Sequence, residues 1–346
     1  MTRASRSEST DEHEAFDRPQ RRTRPRTKDR PDYSAADIGR VTTIDRGRYR
    51  CRVGEGASAR QVSAAKARVL GRAQVIVGDR VRLVGDTSGG DGTLARLVGV
   101  LTRTTVLRRT ADDDDPYERP IVANADQLVI VTALADPPPR TGMIDRILVA
   151  GFDARLDPLL CLTKADLAPP EELIAAYAPL GVRICVVQPE ADLAELQREL
   201  AGRVSVFIGH SGVGKSTLVN RLIPGVGRAV GIVNQVTGRG RQTSTSAIAL
   251  ALPHQDDTED DAGWVIDTPG IRSFGLSHVT IGSIVAAFGD LSAVAADCPR
   301  GCQHIADSPE CALDVATAGG TLSQARVDSF RRILTVKLAG DQPTRG

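Results

Sequence analysis

The strongest chemical signal in the chain is a glycine-rich stretch from Gly209 to Thr217. It matches the phosphate-binding pattern G-x-x-x-x-G-K-[ST]. Glycines let backbone N–H groups approach phosphate oxygens, Lys215 offers a charge to the β- and γ-phosphates, and Ser216 offers a hydroxyl to Mg²⁺. An apolar run precedes the stretch and helical spacing follows it, which predicts a strand, a phosphate-binding loop and a helix. The predicted phosphate-binding residues are Gly209, His210, Ser211, Gly212, Val213, Gly214, Lys215, Ser216 and Thr217.

A second candidate for phosphate chemistry is the turn Asp267-Thr268-Pro269-Gly270, which follows the apolar run 263–266. In nucleotide hydrolases with a phosphate-binding loop, an aspartate at a strand end reaches Mg²⁺, commonly through water. The N–H of a following glycine can sense the terminal phosphate. We therefore predict that Asp267 and Gly270 complete the phosphate site.

The base of the nucleotide is predicted to be read by Thr163, Lys164, Ala165 and Asp166, which form a T-K-x-D sequence at the end of an apolar run. The carboxylate of Asp166 can accept hydrogen bonds from both N1–H and N2–H₂ of guanine, each contributing about 1.5–3 kcal/mol. Adenine offers no such donor pair, so the motif favours GTP. The tetrapeptide alone is a weak signal, and it becomes strong at a strand tip in the sheet that carries a phosphate-binding loop.

A metal site is predicted near the carboxyl terminus, where three cysteines and a histidine fall within fourteen residues. Cys298, Cys302, His304 and Cys311 make a complete Cys₃His set for one tetrahedral Zn²⁺. The alternative is three unligated cysteines beside a surface histidine. The other cysteines of the six, namely Cys51, Cys161 and Cys185, lie in predicted strands and are expected in the core. This cysteine usage favours a reducing cytosol over a disulfide scaffold.

Length and composition bound the architecture. A chain of 346 residues predicts two or three domains, and its aromatic content of 3% requires aliphatic cores. No apolar run reaches the roughly 18 residues of a membrane span, and no secretory leader is apparent. From residue 127 to 266, apolar strand-like runs alternate with helical patterns, which predicts a parallel, doubly wound α/β sheet.

Before this region lies a basic, strand-rich segment. Residues 40–109 contain fifteen Lys and Arg against five Asp and Glu, a net charge of +10. Short alternating runs separated by glycine-rich turns predict an all-β barrel of the OB-fold type. Its charge favours contact with structured RNA, and the alternative is a solvated barrel with surplus arginine. A basic tail precedes it and is expected to be disordered, with either phosphate contact or solubility as its role.

These patterns predict four segments. They are a tail at 1–38, an OB-fold RNA-binding domain at 39–110, a nucleotide-binding α/β domain at 111–283 and a mainly helical zinc-binding domain at 284–346.

The order of the motifs is unusual, because the base motif at 163–166 precedes the phosphate-binding loop and the turn at 267–270 comes last. Ordinary GTPases place the base motif after both. The chain therefore looks circularly permuted and resembles the small-ribosomal-subunit biogenesis GTPases (RsgA/YjeQ type) over roughly residues 39–335. The resemblance includes Ala123 to Gln127, Ile144 to Arg146 and Gly238 to Arg241 as well as the motifs above.

The resemblance implies a GTPase that binds the small (30S) ribosomal subunit and its rRNA, and hydrolyses GTP to GDP and phosphate during late maturation of the subunit. It also implies one structural Zn²⁺, and Mg²⁺ bound with GTP by Ser216, Thr243 and Asp267. The catalytic candidates are Lys215, Ser216, Gln242 and Thr243. We further expect a cytoplasmic monomer with no membrane partner.

The chain departs from the family pattern at four places. Gln242 stands where the family carries a histidine that can position the attacking water, and an amide can also orient water. Thr163 replaces a commoner asparagine, and Gln188-Pro189 replaces a small pair expected beside guanine. The zinc spacing is C-x₃-C-x-H-x₆-C, whereas the family form is C-x₄-C-x-H-x₅-C.

Two other classes of function fit part of the pattern. A P-loop ATPase or kinase would share the phosphate loop, and Asp166 argues against it. A zinc-stabilised RNA-binding module with a weakly catalytic nucleotide site would share the barrel and the cysteines, and the intact Lys215, Ser216 and Asp267 argue against it.

Overall fold

A closed five-stranded barrel forms the first part of the computed structural model. Its strands are β1 (Asp37–Asp45), β2 (Arg48–Val53), β3 (Arg60–Lys66), β4 (Arg80–Val84) and β5 (Ala95–Val100), and they close in the order β1-β2-β3-β5-β4. In β2, Tyr49, Cys51 and Val53 are buried while Arg48 and Arg50 are exposed. This alternation lets the basic residues cover the outside of an aliphatic core, and the predicted barrel is confirmed.

The structure describes residues 32–111, 115, 117–225, 247–253, 262–271 and 273–340. The barrel, the sheet and the helices described below all belong to one compact unit that starts at Ala36. Among the described residues, no helix is both long and apolar enough to cross a membrane.

A two-stranded ribbon follows the barrel and was not anticipated from the sequence. It pairs β6 (Val106–Arg109) with β7 (Arg119–Ala123) in antiparallel register. Strand β6 lies within the range predicted for the barrel, yet its partner β7 follows the four aspartates at 112–115. The pairing places Leu107 and Val122 in the core that the α/β region also uses.

The central element is a six-stranded sheet made of β8 (Gln127–Ala133), β9 (Asp157–Thr163), β10 (Arg183–Val186), β11 (Val204–Gly209), β12 (Ile248–Ala251) and β13 (Trp264–Asp267). The strand order is β10-β9-β8-β11-β13-β12, and only β12 runs antiparallel to its neighbour. Every residue of β8 and β11 is buried. Such continuous burial is expected of parallel strands covered on both faces, and it confirms the α/β prediction.

Helices cover the sheet and form the carboxyl-terminal part. The first four are α1 (Thr141–Asp153), α2 (Glu171–Tyr177), α3 (Ala194–Leu200) and α4 (Lys215–Leu222). The last four are α5 (Ile281–Ala287), α6 (Gly289–Ala295), α7 (Ala312–Ala318) and α8 (Gln324–Gly340). Phe152 of α1, Phe288 between α5 and α6, and Phe330 of α8 contact one another in that order, the first pair tilted and the second edge to face, with ring centroids 4.5 and 5.2 Å apart. The carboxyl-terminal helices therefore share a core with the sheet.

One predicted strand is shorter than its apolar run suggests. The valine-rich stretch from Gln74 to Val84 predicts one strand, but only Arg80–Val84 are strand, and residues 76–79 form a turn in which the N–H of Asp79 donates to the carbonyl of Ile76 at 3.2 Å. Asp79 closes the turn by accepting from the N–H of Ile76 at 2.8 Å and from the guanidinium of Arg103 at 2.7 and 2.9 Å. A buried carboxylate with these partners fixes a non-extended backbone, which overrides the strand propensity of the valines.

Gly78 joins the barrel to the ribbon at a point with no room for a side chain. Its φ is +89°, and a Cβ there would lie 2.0 Å from the carbonyl oxygen of Ala123. The side-chain amide of Asn124 donates to the carbonyl of Gly78 at 3.0 Å, while its oxygen accepts from the N–H of Thr104 at 2.9 Å. The barrel therefore docks onto the start of the α/β region through backbone contacts.

We predict that Gly78→Ala destabilises the protein by about 2–5 kcal/mol, since a positive φ costs an alanine about 1–2 kcal/mol and overpacking adds about 1–3. Gly47→Ala is the matched control, because Gly47 has a φ of +82° but nothing within 4 Å of the added Cβ. Thermal unfolding measures both. Equal losses of stability in the two variants would contradict the close contact at Gly78.

Candidate nucleotide site and metal centre

The three nucleotide motifs meet at one edge of the sheet. Thr163 ends β9, Gly209 ends β11 and Asp267 ends β13. Register pairs Thr163 with Ala133 of β8, and Gly209 with Val131 of the same strand. The carboxyl ends of parallel strands are where open α/β sheets bind ligands. Segments more than 100 residues apart in the chain are thus brought to one cleft.

The phosphate-binding loop is shaped by glycines at places where a side chain would not fit. A Cβ on Gly209 would lie 2.5 Å from the carbonyl oxygen of Val131, while Gly212 and Gly214 have φ values of +85° and +87°. Helix α4 begins at Lys215, directly after Gly214. The loop therefore delivers its backbone to a helix N-terminus, the arrangement that binds phosphate.

Lys215 is the buried charge of the site. Its side chain is 7% exposed, and its ammonium donates to the carboxylate of Asp267 and to the carbonyl of Thr268. A buried cation requires such partners. Ser216, the next residue, is exposed in the first turn of α4. One cation, one hydroxyl and one carboxylate thus lie in the same cradle, and this donor set fits a Mg²⁺-bound phosphate.

The turn at 267–270 lies against the phosphate-binding loop. The hydroxyl of Thr268 donates to the carbonyl of Phe207 at 2.7 Å, and the N–H of Ile271 donates to the carbonyl of Gly209 at 3.2 Å. A Cβ on Gly270 would lie 3.4 Å from the backbone nitrogen of Ser211. The glycine predicted to sense a terminal phosphate is therefore beside the loop predicted to bind it.

The T-K-x-D residues lie at the same edge, next to the phosphate loop. The hydroxyl of Thr163 is 2.6 Å from the carbonyl oxygen of Val213 and 3.2 Å from that of Thr132. The ammonium of Lys164 donates to the carbonyl of Asp136. Asp166 is exposed. Thr163 thus ties β9 to the phosphate loop by its hydroxyl, although its side chain is shorter than the asparagine of the family pattern.

Two supporting groups were not found from the sequence. Arg221 of α4 donates to the carbonyls of Gln188, at 3.0 Å, and of Ala191. It thereby links the helix of the phosphate loop to the segment that carries the unusual Gln188-Pro189 pair. The second supporting group is the carbonyl of Asp136, which accepts a hydrogen bond from Lys164. Neither contact has a local sequence signal, since a backbone acceptor can be supplied by any residue.

Cys298, Cys302, His304 and Cys311 come together after α6 and before α7. All four ligand atoms lie within 4.8 Å of one another. The Nδ1 atom of His304 is 3.4, 3.5 and 4.0 Å from the sulfurs of Cys298, Cys302 and Cys311. Tetrahedral Zn²⁺ with ordinary bond lengths requires ligand separations of about 3.5–3.8 Å. The four residues therefore fit a single metal ion.

The surroundings of the cluster orient the ligands. The N–H of Ala312 donates to the sulfur of Cys298 at 3.2 Å. Arg331 of α8 donates to the carbonyl of His304 at 3.1 Å and to both carboxylate oxygens of Asp314 at 2.7 and 2.8 Å. Burial, with the charge of Arg331 second, lowers the pKa of His304 below its ordinary value. This shift favours the neutral form of the ring, which is the form that binds a metal.

Two predicted residues cannot be placed by this geometry. Gln242 and Thr243 lie outside the described residues, together with the Gly238 to Arg241 stretch before them and the tail up to residue 31. Their assignment as water-orienting and Mg²⁺-binding groups stays a prediction.

The chain resembles proteins of one family over most of its length. Residues 100–277 match the family model described as RsgA GTPase. A protein of Pseudomonas fluorescens (strain SBW25) named Small ribosomal subunit biogenesis GTPase RsgA is 39% identical over 254 residues, covering 71% of each chain. One of the same name from Azotobacter vinelandii is 39% identical over 269 residues, covering 75% of this chain and 74% of that one.

Two solved structures share the fold. YjeQ from Thermotoga maritima matches with a TM-score of 0.63 at 24% identity, covering 87% of this chain and 98% of that one. YloQ, described as a circularly permuted GTPase, matches with a TM-score of 0.63 at 22% identity, covering 91% and 99%. Residues 100–277, which match the family model, include the base motif, the phosphate loop and the turn that meet at the sheet edge. With this match and with relatives 39% identical over 71% and 75% of its length, the chain belongs to the RsgA GTPase family.

Proposed function

We propose that this GTP hydrolase binds the small (30S) ribosomal subunit and hydrolyses GTP on it during late maturation of the subunit. The observation that carries the proposal is the meeting of Thr163–Asp166, the phosphate loop and the Asp267 turn at one sheet edge, in a chain with a strongly basic barrel. The names of the relatives at 39% identity support the ribosomal partner. We also propose that the protein acts in the cytoplasm as a monomer, without a membrane partner.

Each group at the nucleotide site has a role set by its chemistry. Asp166 accepts from the guanine edge, the phosphate-loop backbone and Lys215 bind phosphate, and Ser216 and Asp267 hold Mg²⁺ with Thr243. The bound Mg²⁺ neutralises phosphate charge. Gln242 orients the attacking water through its amide. An ATPase is disfavoured because an exposed carboxylate at Asp166 has no donor pair to meet on adenine.

We propose that the cysteine cluster holds one structural Zn²⁺ and that residues 284–346 depend on it. The expected division of the chain into a tail at 1–38, a barrel domain at 39–110, a GTPase domain at 111–283 and a zinc domain at 284–346 is part of the same proposal. Helices α5, α6 and α7 have only seven residues each, and helices of that length are not stable by themselves in water, so they depend on packing and on the ion.

Asp166→Asn tests the base site. We expect GTP affinity to fall about 10- to 150-fold, which corresponds to the loss of one charged hydrogen bond of about 1.5–3 kcal/mol. Affinity for xanthosine triphosphate should rise, because the Asn side-chain amide donates a hydrogen bond. Guanine has its 2-amino donor at that position, whereas xanthine has a carbonyl oxygen that accepts. Isothermal titration measures both, with Glu171→Gln as a charge-matched control on the first residue of α2. Unchanged GTP binding would remove Asp166 from the base pocket.

Cys302→Ser tests the metal. Elemental analysis of the wild-type protein should find about one Zn²⁺ per chain, and the variant should lose it together with thermal stability, since metal binding is coupled to folding. Cys161→Ser is the control, because Cys161 is fully buried in β9 and is not a ligand. A wild-type protein that holds no metal while its carboxyl-terminal helices are folded would overturn the zinc assignment.

Turnover with purified small subunits tests the function itself. We expect co-sedimentation to be strongest with a non-hydrolysable GTP analogue, turnover to rise when subunits are added, and rising salt to weaken the association because phosphate neutralisation releases counterions. Lys215→Ala is the control that should lose turnover by losing a phosphate contact. If the protein does not co-sediment with small subunits at low salt and the subunits do not change its turnover, the ribosomal partner is rejected and only the GTPase assignment remains.

A further inference from the structure

A cleft of about 670 Å³ lies between the barrel and the β12 edge of the sheet. Its barrel wall carries Arg40, Arg52 and Arg80, and its sheet wall carries Trp264. Register pairs Arg40 of β1 with Arg52 of β2 on one side and with Arg80 of β4 on the other. Three guanidinium groups therefore form a row across three neighbouring strands. We call this site the arginine cleft.

The row is electrostatically unfavourable by itself. Like charges directly opposite one another on neighbouring strands destabilise a sheet. Within the described part of the chain, neither Arg52 nor Arg80 forms an ion pair, and Glu55 is the one carboxylate lining the cleft. An anion placed in the cleft would relieve this repulsion. The same charges on an open surface would be screened by water and salt, whereas a cleft wall lowers the local dielectric.

The surroundings of Trp264 favour a phosphate over a base as the part of a nucleic acid that binds in the arginine cleft. The guanidinium carbons of Arg40 and Arg52 lie 5.2 and 5.6 Å from the centre of its ring, and the residue is only 8% exposed. A base cannot stack on a ring that is already covered. Stacking uses the face of a guanidinium, while its N–H donors lie in the plane and match phosphate oxygens as a fork.

We propose that the arginine cleft binds backbone phosphates of ribosomal RNA. The proposal rests on the proposed function and locates one RNA contact between the barrel and the GTPase sheet. Phosphate rather than base is the ligand because the cleft presents cation forks and a covered ring. The contact is therefore independent of RNA sequence and strongly dependent on salt.

A competing occupant is the chain itself. The stretch 256–261 contains five carboxylates, and Leu252 before it and Ala262 after it both line the cleft. If that stretch neutralises the arginine row, external phosphate would gain little there. The experiment therefore includes a variant in which the five carboxylates become amides.

The single tryptophan of the chain makes the cleft directly observable. Titration of the full-length protein with an RNA hairpin of arbitrary sequence should change Trp264 emission, because bound phosphate draws the guanidiniums off the ring. Arg52→Gln and Arg80→Gln should each weaken hairpin binding about five- to tenfold at about 0.1 M salt, and each should lower the salt slope by about one. Arg80 is not one of the two residues over the ring, so Arg80→Gln keeps the packing of Trp264.

Arg50→Gln is the matched control, since Arg50 lies two residues from Arg52 on the same strand, faces outward and is not in the cleft. Three results would overturn the proposal. The first is an equal loss of hairpin binding in Arg50→Gln and in the cleft variants. The second is hairpin binding that leaves Trp264 emission unchanged. The third is a combination: the amide variant binds the hairpin more tightly than the wild type, and Arg52→Gln alone has no effect on binding. Inorganic tripolyphosphate that binds as tightly as the hairpin would show an anion site without preference for RNA.

The same variants separate this proposal from the proposed function. Co-sedimentation with small subunits is measured beside hairpin binding. Arg80→Gln that binds subunits and hairpin as the wild type does would reject the arginine cleft and leave the ribosomal partner standing. A wild-type protein that binds no subunits would reject the proposed function itself.

Discussion

The parallel pairing of β8 with β9 and β11 is the constraint on which the nucleotide site depends. These strands are buried along nearly their whole length, and their register fixes how far Thr163 and Gly209 extend past the sheet edge. A one-residue slip would turn each buried side chain to the other face. The site thus depends on which strands are neighbours and not on the order in which the chain visits them. This is why the base motif can precede the phosphate loop without any change in the cleft.

The permuted order has a structural consequence after Gly270. Gly275 pairs with Thr110 next to the ribbon, and the carbonyl of Ser273 accepts from Arg109 at 3.0 Å. The carbonyl of Phe274 accepts from Arg146 of α1 at 3.2 Å, and that of Leu276 accepts from the buried Lys337 of α8 at 3.1 Å. The segment that follows the turn at 267–270 is therefore hydrogen-bonded to the ribbon, to α1 and to α8. A shift of Gly270 on loss of a phosphate would act on all three.

The sequence predicted the parts of the site whose chemistry is local. The phosphate loop spans nine residues and the Cys₃His set fourteen, so spacing alone marks them as candidates, whereas the T-K-x-D tetrapeptide also needs its position at the end of a strand. The ribbon of β6 with β7 and the row formed by Arg40, Arg52 and Arg80 depend on pairing between distant segments, and hydrophobic periodicity carries no information on partners. The turn at 76–79 cannot be predicted from its valine-rich stretch, because the decisive contact, Arg103 to Asp79, spans 24 residues.

The unusual spacing of the proposed zinc ligands is accommodated by the backbone between them. His304 and Glu310 have φ values of +59° and +54°, and Gly301 has +82°. Left-handed conformations cost non-glycine residues about 1–2 kcal/mol each, so they persist only where the surroundings hold them. Arg331 stabilises this backbone, since it donates hydrogen bonds to the carbonyl of His304 and to the carboxylate of Asp314 on α7. Compared with the family pattern, this chain has one residue fewer before the Cys-x-His segment and one more after it, and the four ligand atoms still converge. Helix α8 thus positions the candidate metal ligands through Arg331, although it provides no ligand itself.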